Sequence, residues 1–277
     1  MNISQYLPRC IKWSGGFAVY HLPFFAGLRN YYLERVYTTP QRRSWLFRSF
    51  RGYVLGKLVY RGLPEFRTAI LTGESGRRWA NFYRSRPEKY YLEGFSEPLQ
   101  ACRDSLQSGA GSRFLQIGCA GGRELAILAS WFPHLKFCGI DINTAAIQEN
   151  QQAYAAASNL EFCVADLTLS DSWAQWHPDL IYSSGCLEYL TENEVAAFLR
   201  HAHQAGVSRL ILSEPADGSP GQRSIPRGGA AFAHDYRHLA AQGGWANISV
   251  LCEPAPDKNL LLIASRDGGT ALPRSNG

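Results

Sequence analysis

FLQIGCAGGRE, residues 114–124, runs from a short apolar stretch into a turn of small residues and then into helical spacing. Leu125, Leu128, Ala129 and Phe132 continue on one helical face until Pro133 ends it. A strand, a glycine-rich turn and a helix in that order mark the first unit of an alternating β/α fold. Two residues are unusual for a nucleotide-binding turn: Gln116 stands where an acid is common, and Ala120 where glycine is common.

The alternation continues toward the C-terminus. LKFCGID (135–141), LEFCVAD (160–166), DLIYSSG (179–185) and SRLILSEP (208–215) read as strands. Between them lie an alanine-rich helix capped by Asn143 or Thr144, and a helix opened by Thr191 with Glu194 at capping-box spacing. AHDYRHLAAQGG (233–244) reads as a further helix, closed by glycines. WANISVLCE (245–253) and KNLLLIASR (258–266) follow with only PAPD between them. Four residues cannot make a parallel crossover, so this pair is a hairpin. The expected fold is α/β: a doubly wound, mostly parallel seven-stranded sheet with a terminal antiparallel hairpin strand, plus a largely helical N-terminal extension.

Composition divides the chain. Residues 1–110 hold 17 Lys/Arg against 7 Asp/Glu, whereas the remainder is net acidic, and 21 of the 35 aromatics precede residue 96. The stretch SLQSGAGS (105–112) reads as a linker or turn. The organisation expected is a basic, aromatic-rich cap or lid over 1–110, a core over 111–266 and a flexible tail over 267–277. No apolar run reaches about 18 residues, so no membrane span is expected. Seven scattered cysteines without a C-x-x-C pair, and a start unlike a signal peptide, point to reduced thiols, a cytoplasmic location and no metal site.

In such sheets ligands bind at the carboxyl ends of the strands. Small polar or acidic residues fall there: Gly118, Cys119, Ala120 and Gly122, then Asp141 with Ile142, Asp166 with Leu167, Ser183 with Ser184, and Glu214. Each alone is weak; in one register on successive strands they form a pattern.

Residues 113–266 resemble the catalytic core of class I S-adenosylmethionine-dependent methyltransferases. The family's first loop, acid-x-G-x-G-x-G, is matched by Gln116-Ile117-Gly118-Cys119-Ala120-Gly121-Gly122. CGIDIN resembles its second motif, CVADL its third and DLIYSSGCLEYL its fourth-strand motif, and the closing hairpin fits its seventh strand. The resemblance implies S-adenosylmethionine as cofactor, Asp141 on the ribose, Asp166 on the adenine, and Gln116 near the methionine ammonium. It implies methyl transfer to an oxygen or nitrogen of a small-molecule acceptor. An RNA or protein methyltransferase docking through the basic N-terminal region is an alternative, as is a non-catalytic binding module.

Candidates for a general base are Glu188 and Tyr189 after the fourth strand, Glu214 after the fifth, and His234, Asp235 and Tyr236; His234 leads because an unperturbed imidazole titrates near neutrality. Ala120 adds a methyl group where backbone must pass closely, so an ordinary φ is expected there. Arg223 and Arg227, in the loop 215–232, are expected to overhang the acceptor pocket. Residues 1–110 are read first as a cap forming that pocket. Nucleic acid, an anionic membrane surface and a second copy of the chain (a homodimer) are the other partners considered. Within this region 76–95 should form a helix and lid, with Tyr83, Tyr90 and Tyr91 near the cofactor.

Overall fold

The computed structural model describes residues 18–33, 67–68, 71–94, 96–169, 171–216, 225–227, 231–254 and 259–266, with single positions 46 and 50. The chain forms two compact units: Met1–Arg78 with Pro226–Ala231, and Trp79–Ile225 with Phe232–Gly277. In the first unit, a 3₁₀ turn at Pro23–Phe25 leads into helix α1 (Ala26–Leu33), and Arg29 donates to the Tyr20 carbonyl at 3.4 Å.

The second unit is built on one seven-stranded sheet. Its strands are β1 (Arg113–Ile117), β2 (Lys136–Asp141), β3 (Leu160–Val164), β4 (Leu180–Ser184), β5 (Arg209–Glu214), β8 (Asn247–Cys252) and β9 (Leu260–Ser265). The order is β3-β2-β1-β4-β5-β9-β8; the first five are parallel, and β9 runs antiparallel to both neighbours. A separate short pair joins β6 (Ile225–Arg227) to β7 (Ala231–Ala233). The expected fold is therefore present, including the inserted antiparallel strand.

Parallel strands covered on both faces need apolar side chains on both sides, and β1 shows the division. Leu115 and Ile117 pack with Val195, Phe198 and Leu199 of α7 (Glu192–Gln204) and with Tyr236 and Leu239 of α8 (Tyr236–Gln242). Phe114 packs on the other face with Leu99 and Cys102 of α3 (Ser96–Gln107) and Leu125 and Leu128 of α4 (Arg123–Trp131). Helices α5 (Thr144–Ala153) and α6 (Asp171–Ala174) complete the layers. Asn143 caps α5 by accepting from the Ala146 amide, and the Thr191–Glu194 capping box opens α7.

The linker expected over 105–112 is shorter in the structure. Helix α3 runs to Gln107, because Leu99, Cys102 and Leu106 lie on one face and are buried beneath the sheet. Over 76–95, where a helix and lid are expected, the structure has helix α2 (Glu74–Arg84) and a π-turn at Tyr90–Gly94, Pro87 falling between them. The tail 267–277 lies outside the described residues. Among the described residues no helix is long and apolar enough to cross a membrane, and no group of three or more His, Cys, Asp or Glu is placed to hold a metal ion.

Candidate functional site

The loop after β1 is anchored from two sides, by the end of β2 and by α5 with its C-cap residue. The Cys119 amide donates to the Ile140 carbonyl at 2.9 Å, and the Ala120 amide to Asp141 Oδ2 at 2.9 Å. From α5, the fully buried Asn150 donates to the Ala120 carbonyl at 2.8 Å, and Tyr154 donates to the Gly121 carbonyl at 3.2 Å. Gly118 and Gly122 take left-handed backbone, φ +63° and +69°. Gly122 is also the N-cap of α4 and offers no side-chain cap, leaving that helix start open.

Ala120 departs from expectation. Its φ is +44°, left-handed rather than ordinary, so this alanine holds a conformation that glycine takes freely. The Asp141 and Asn150 hydrogen bonds on either side of it enforce that conformation.

Asp141 ends β2 with each carboxylate oxygen holding one backbone amide: Ala120 on Oδ2 and Asn143 on Oδ1, both at 2.9 Å. Burial raises its pKa, and these hydrogen bonds oppose the rise. The Ile142 amide adds a third donor, and the two oxygens between them still have acceptor capacity for a hydroxyl. Ile142 beside it is half-buried. Asp166 uses Oδ1 to accept both the Thr168 amide at 2.9 Å and its hydroxyl at 2.7 Å, a local turn that fixes the end of β3; Leu167 packs against the core.

Beneath the loop, Gln116 is 3% exposed and donates from Nε2 to Glu124 Oε2 at 2.8 Å. With Nε2 turned to Glu124, Gln116 Oε1 is a buried acceptor without a partner among the described residues. Burial pushes the Glu124 carboxyl up to about 7, against the hydrogen bonds of Gln116 and Tyr182. The carboxyl absent at position 116 is thus supplied eight residues on, in the first turn of α4, and joined to the amide by a hydrogen bond.

Helix α2 packs directly on this loop. A Cβ placed on Gly121 would lie 2.3 Å from the Ala80 carbonyl oxygen and 2.5 Å from the Arg84 amide. Arg84 fastens the contact: it reaches Asn150 Oδ1 at 2.8 and 3.1 Å, Glu149 at 2.7 Å and the Ala146 carbonyl at 3.3 Å. Arg84 and Asn150 were not singled out in the sequence. Asn150 stands in a run of polar residues, Gln148 to Gln152, so its burial carries no local signal, and Arg84 is one of many arginines in its region. Tyr83 stacks on Trp79 and its hydroxyl is pushed to about 12, by burial first and then by Tyr90, Glu124 and Glu188. Tyr91 donates to the Tyr83 carbonyl at 2.6 Å.

The far side of the edge is built by the turn after β4. Ser184 is half-buried at the strand end, while Ser183 is fully buried and gives its hydroxyl to Glu214. Ser183 is therefore committed to the interior rather than offered to a ligand. A Cβ on Gly118 would lie 2.5 Å from Cys186 Sγ, so this turn and the glycine loop are in contact. Glu188 follows on the short 3₁₀ turn Leu187–Tyr189.

His234 does not fit the role of a base poised near neutrality. Its ring is fully buried, Nε2 lies 3.0 Å from the Leu190 carbonyl, and burial pushes its pKa down to about 4. It stays neutral over the physiological range and donates to that carbonyl, securing the end of the same turn. Tyr236 is also fully buried, with its hydroxyl pKa raised by burial first. Asp235, not His234, caps α8, accepting from the His238 amide at 3.0 Å. Arg223 lies outside the described residues, as do the side chain of Arg227 and most of the loop that carries both.

A family model described as a methyltransferase domain matches residues 115–206. The trans-aconitate 2-methyltransferase of Paracidovorax citrulli (strain AAC00-1) is 32% identical over 144 residues, which cover 49% of this chain and 47% of that protein. The match thus spans about half the length of that relative. Among solved structures, the N-terminal domain of EvdMO1 with SAH bound superposes with a TM-score of 0.51 at 18% identity, over 65% of this chain and 85% of that one. Magnesium protoporphyrin IX methyltransferase from Synechocystis PCC 6803, also with SAH bound, gives 0.51 at 18% identity, over 71% and 95%.

Proposed function

We propose that this chain, a methyltransferase by its domain and its class I fold, moves a methyl group from S-adenosylmethionine to an oxygen or nitrogen of a small-molecule acceptor. The observation that carries this reading is the union of the glycine loop with Asp141: the Ala120 amide donates to the carboxylate that ends the neighbouring strand. A ribose diol placed at Asp141 then lies beside a loop whose glycines admit close backbone approach. Gln116 Oε1, a buried acceptor without a partner among the described residues, suits a ligand ammonium, with the Glu124 carboxyl behind it. Asp166 and Leu167 flank the end of β3, where an adenine would sit. The curated relative is named for trans-aconitate, which makes a carboxylate oxygen one acceptor to test first.

The bound sulfonium supplies an electrophilic methyl group. The chain's own residues contribute binding, alignment and exclusion of water. Tyr83 on α2 would close the site, with the buried Tyr91 holding its backbone through the Tyr83 carbonyl. Glu188 is the proton acceptor this reading retains, for acceptors that must lose one; His234 holds the turn that carries it.

Calorimetric titration with S-adenosylmethionine, S-adenosylhomocysteine and NAD tests the assignment. Both sulfur ligands should bind and NAD should not; binding of NAD alone overturns it. Asp141→Ala removes a charged acceptor whose hydrogen bonds are worth about 1.5–3 kcal/mol each, so affinity should fall at least tenfold. Cofactor binding without turnover on any acceptor would favour a binding module. Nucleic-acid affinity falling steeply with salt would favour an RNA substrate.

A further inference from the structure

Glu214 is the last residue of β5 and is fully buried. Its Oε1 accepts from the Ser183 hydroxyl, the Cys186 amide at 3.1 Å and the Leu187 amide at 3.2 Å. Those amides open the 3₁₀ turn Leu187–Tyr189, whose N-cap residue, Cys186, makes no side-chain cap. The first amides of a helical turn lack partners within it; here the neighbouring strand supplies the cap across the sheet. The donors around Oε1 are neutral. Placing a carboxylate inside the protein on neutral donors alone is expensive, and an apolar strand end would avoid that cost.

What the carboxylate holds explains its presence. Gly185, at φ +61°, swings the chain off β4, and Cys186 then rests on Gly118 of the loop after β1. At the other end of the turn, His234 secures the Leu190 carbonyl. The turn is therefore pinned at both ends by side chains from later in the chain. Its free surface is in contact with the glycine loop.

We infer that Glu214 is a positioning residue: it fixes the Cys186–Glu188 turn against Gly118 and so preforms the wall of the cofactor site. This rests on the proposed reading of that site as one for S-adenosylmethionine. Reach, not charge, is what the geometry demands, since Oε1 must meet two amides and a hydroxyl at once.

Three variants separate reach from charge. Glu214→Gln keeps the length and an accepting oxygen; Glu214→Asp keeps the charge but withdraws the carboxylate by one methylene; Glu214→Ala removes both. S-adenosylhomocysteine affinity is measured by calorimetry. Native-state hydrogen exchange is followed over peptide 185–190, and iodoacetamide labelling of Cys186 is read by peptide mapping at one pH. Losing hydrogen bonds of this kind inside the protein corresponds to roughly tenfold in an equilibrium constant. Glu214→Asp and Glu214→Ala should weaken binding by that order, speed exchange in 185–190 and raise Cys186 labelling, while Glu214→Gln stays within about threefold of the wild type. If Glu214→Ala does not fold, the Asp and Gln pair decides alone. Loss in Gln with Asp unchanged would overturn the inference in favour of charge, loss in Gln as large as in Asp would overturn the claim that reach alone matters, and unchanged exchange and affinity in both would overturn it outright. Wild-type protein that binds no S-adenosylhomocysteine defeats the cofactor reading instead, and the exchange and labelling arms still decide whether Glu214 holds the turn.

Discussion

Gly118→Ala places a methyl group at the contact between the glycine loop and the turn after β4. The new Cβ would lie 2.5 Å from Cys186 Sγ and 2.6 Å from Cys186 Cβ, with the Cys186 Cα next at 3.7 Å. Two costs add. Holding an alanine at φ +63° costs roughly 1–2 kcal/mol, and overpacking costs about 1–3 kcal/mol. Stiffening the unfolded chain returns about 0.4–1 kcal/mol. The net loss is therefore about 1–5 kcal/mol. The two costs separate in a double-mutant cycle with Cys186→Gly, which removes both colliding atoms and leaves the backbone cap from Glu214 in place. A coupling of about 1–3 kcal/mol is expected, equal to the clash, while the φ cost remains. Urea unfolding, checked for a constant slope, gives stability, and calorimetry with S-adenosylhomocysteine gives affinity. Zero coupling would refute the contact between loop and turn. Full stability in Gly118→Ala alone would refute the backbone conformation as well.

Ala120→Gly removes a Cβ from φ +44°; relief of strain should exceed the added unfolded-state entropy, raising stability by up to about 1 kcal/mol in urea unfolding. Glu124→Gln tests the carboxyl raised to about 7. Because its folded pKa lies above the unfolded value of 4.5, its contribution is fully present below that value and is lost as pH rises to 7. Stability of the variant relative to wild type should therefore grow from pH 4.5 to 7 and then level; a flat difference refutes the burial. Arg84→Ala cuts the link from α2 to Asn150 and Glu149, and should cost about 1–3 kcal/mol in thermal or urea unfolding and weaken cofactor binding severalfold. Unchanged affinity there would mean that α2 does not support the loop.

The sequence alone carried the fold because its signals are local. Strand and helix periods, the Asn143 cap, the Thr191–Glu194 capping box and the four-residue gap before the last strand each need only a short window of residues. The order of the glycine turn, Asp141 and Asp166 likewise followed from strand ends falling in register. The partners of those residues were not legible, since they come from distant parts of the chain: Arg84 reaches Asn150, Glu214 reaches Cys186, and His234 reaches Leu190.

Tertiary structure also reversed two local readings. Position 120 seemed to require an ordinary φ because alanine has a Cβ, yet Asp141 and Asn150 grip the amide and carbonyl of that one residue and force it to +44°. His234 promised a titrating imidazole on residue type alone; burial against the turn after β4 makes it a neutral donor. Residue type and spacing determine which elements form and which of their ends converge. Desolvation and hydrogen bonding depend on what else is packed there, so they are decided only when the chain has folded.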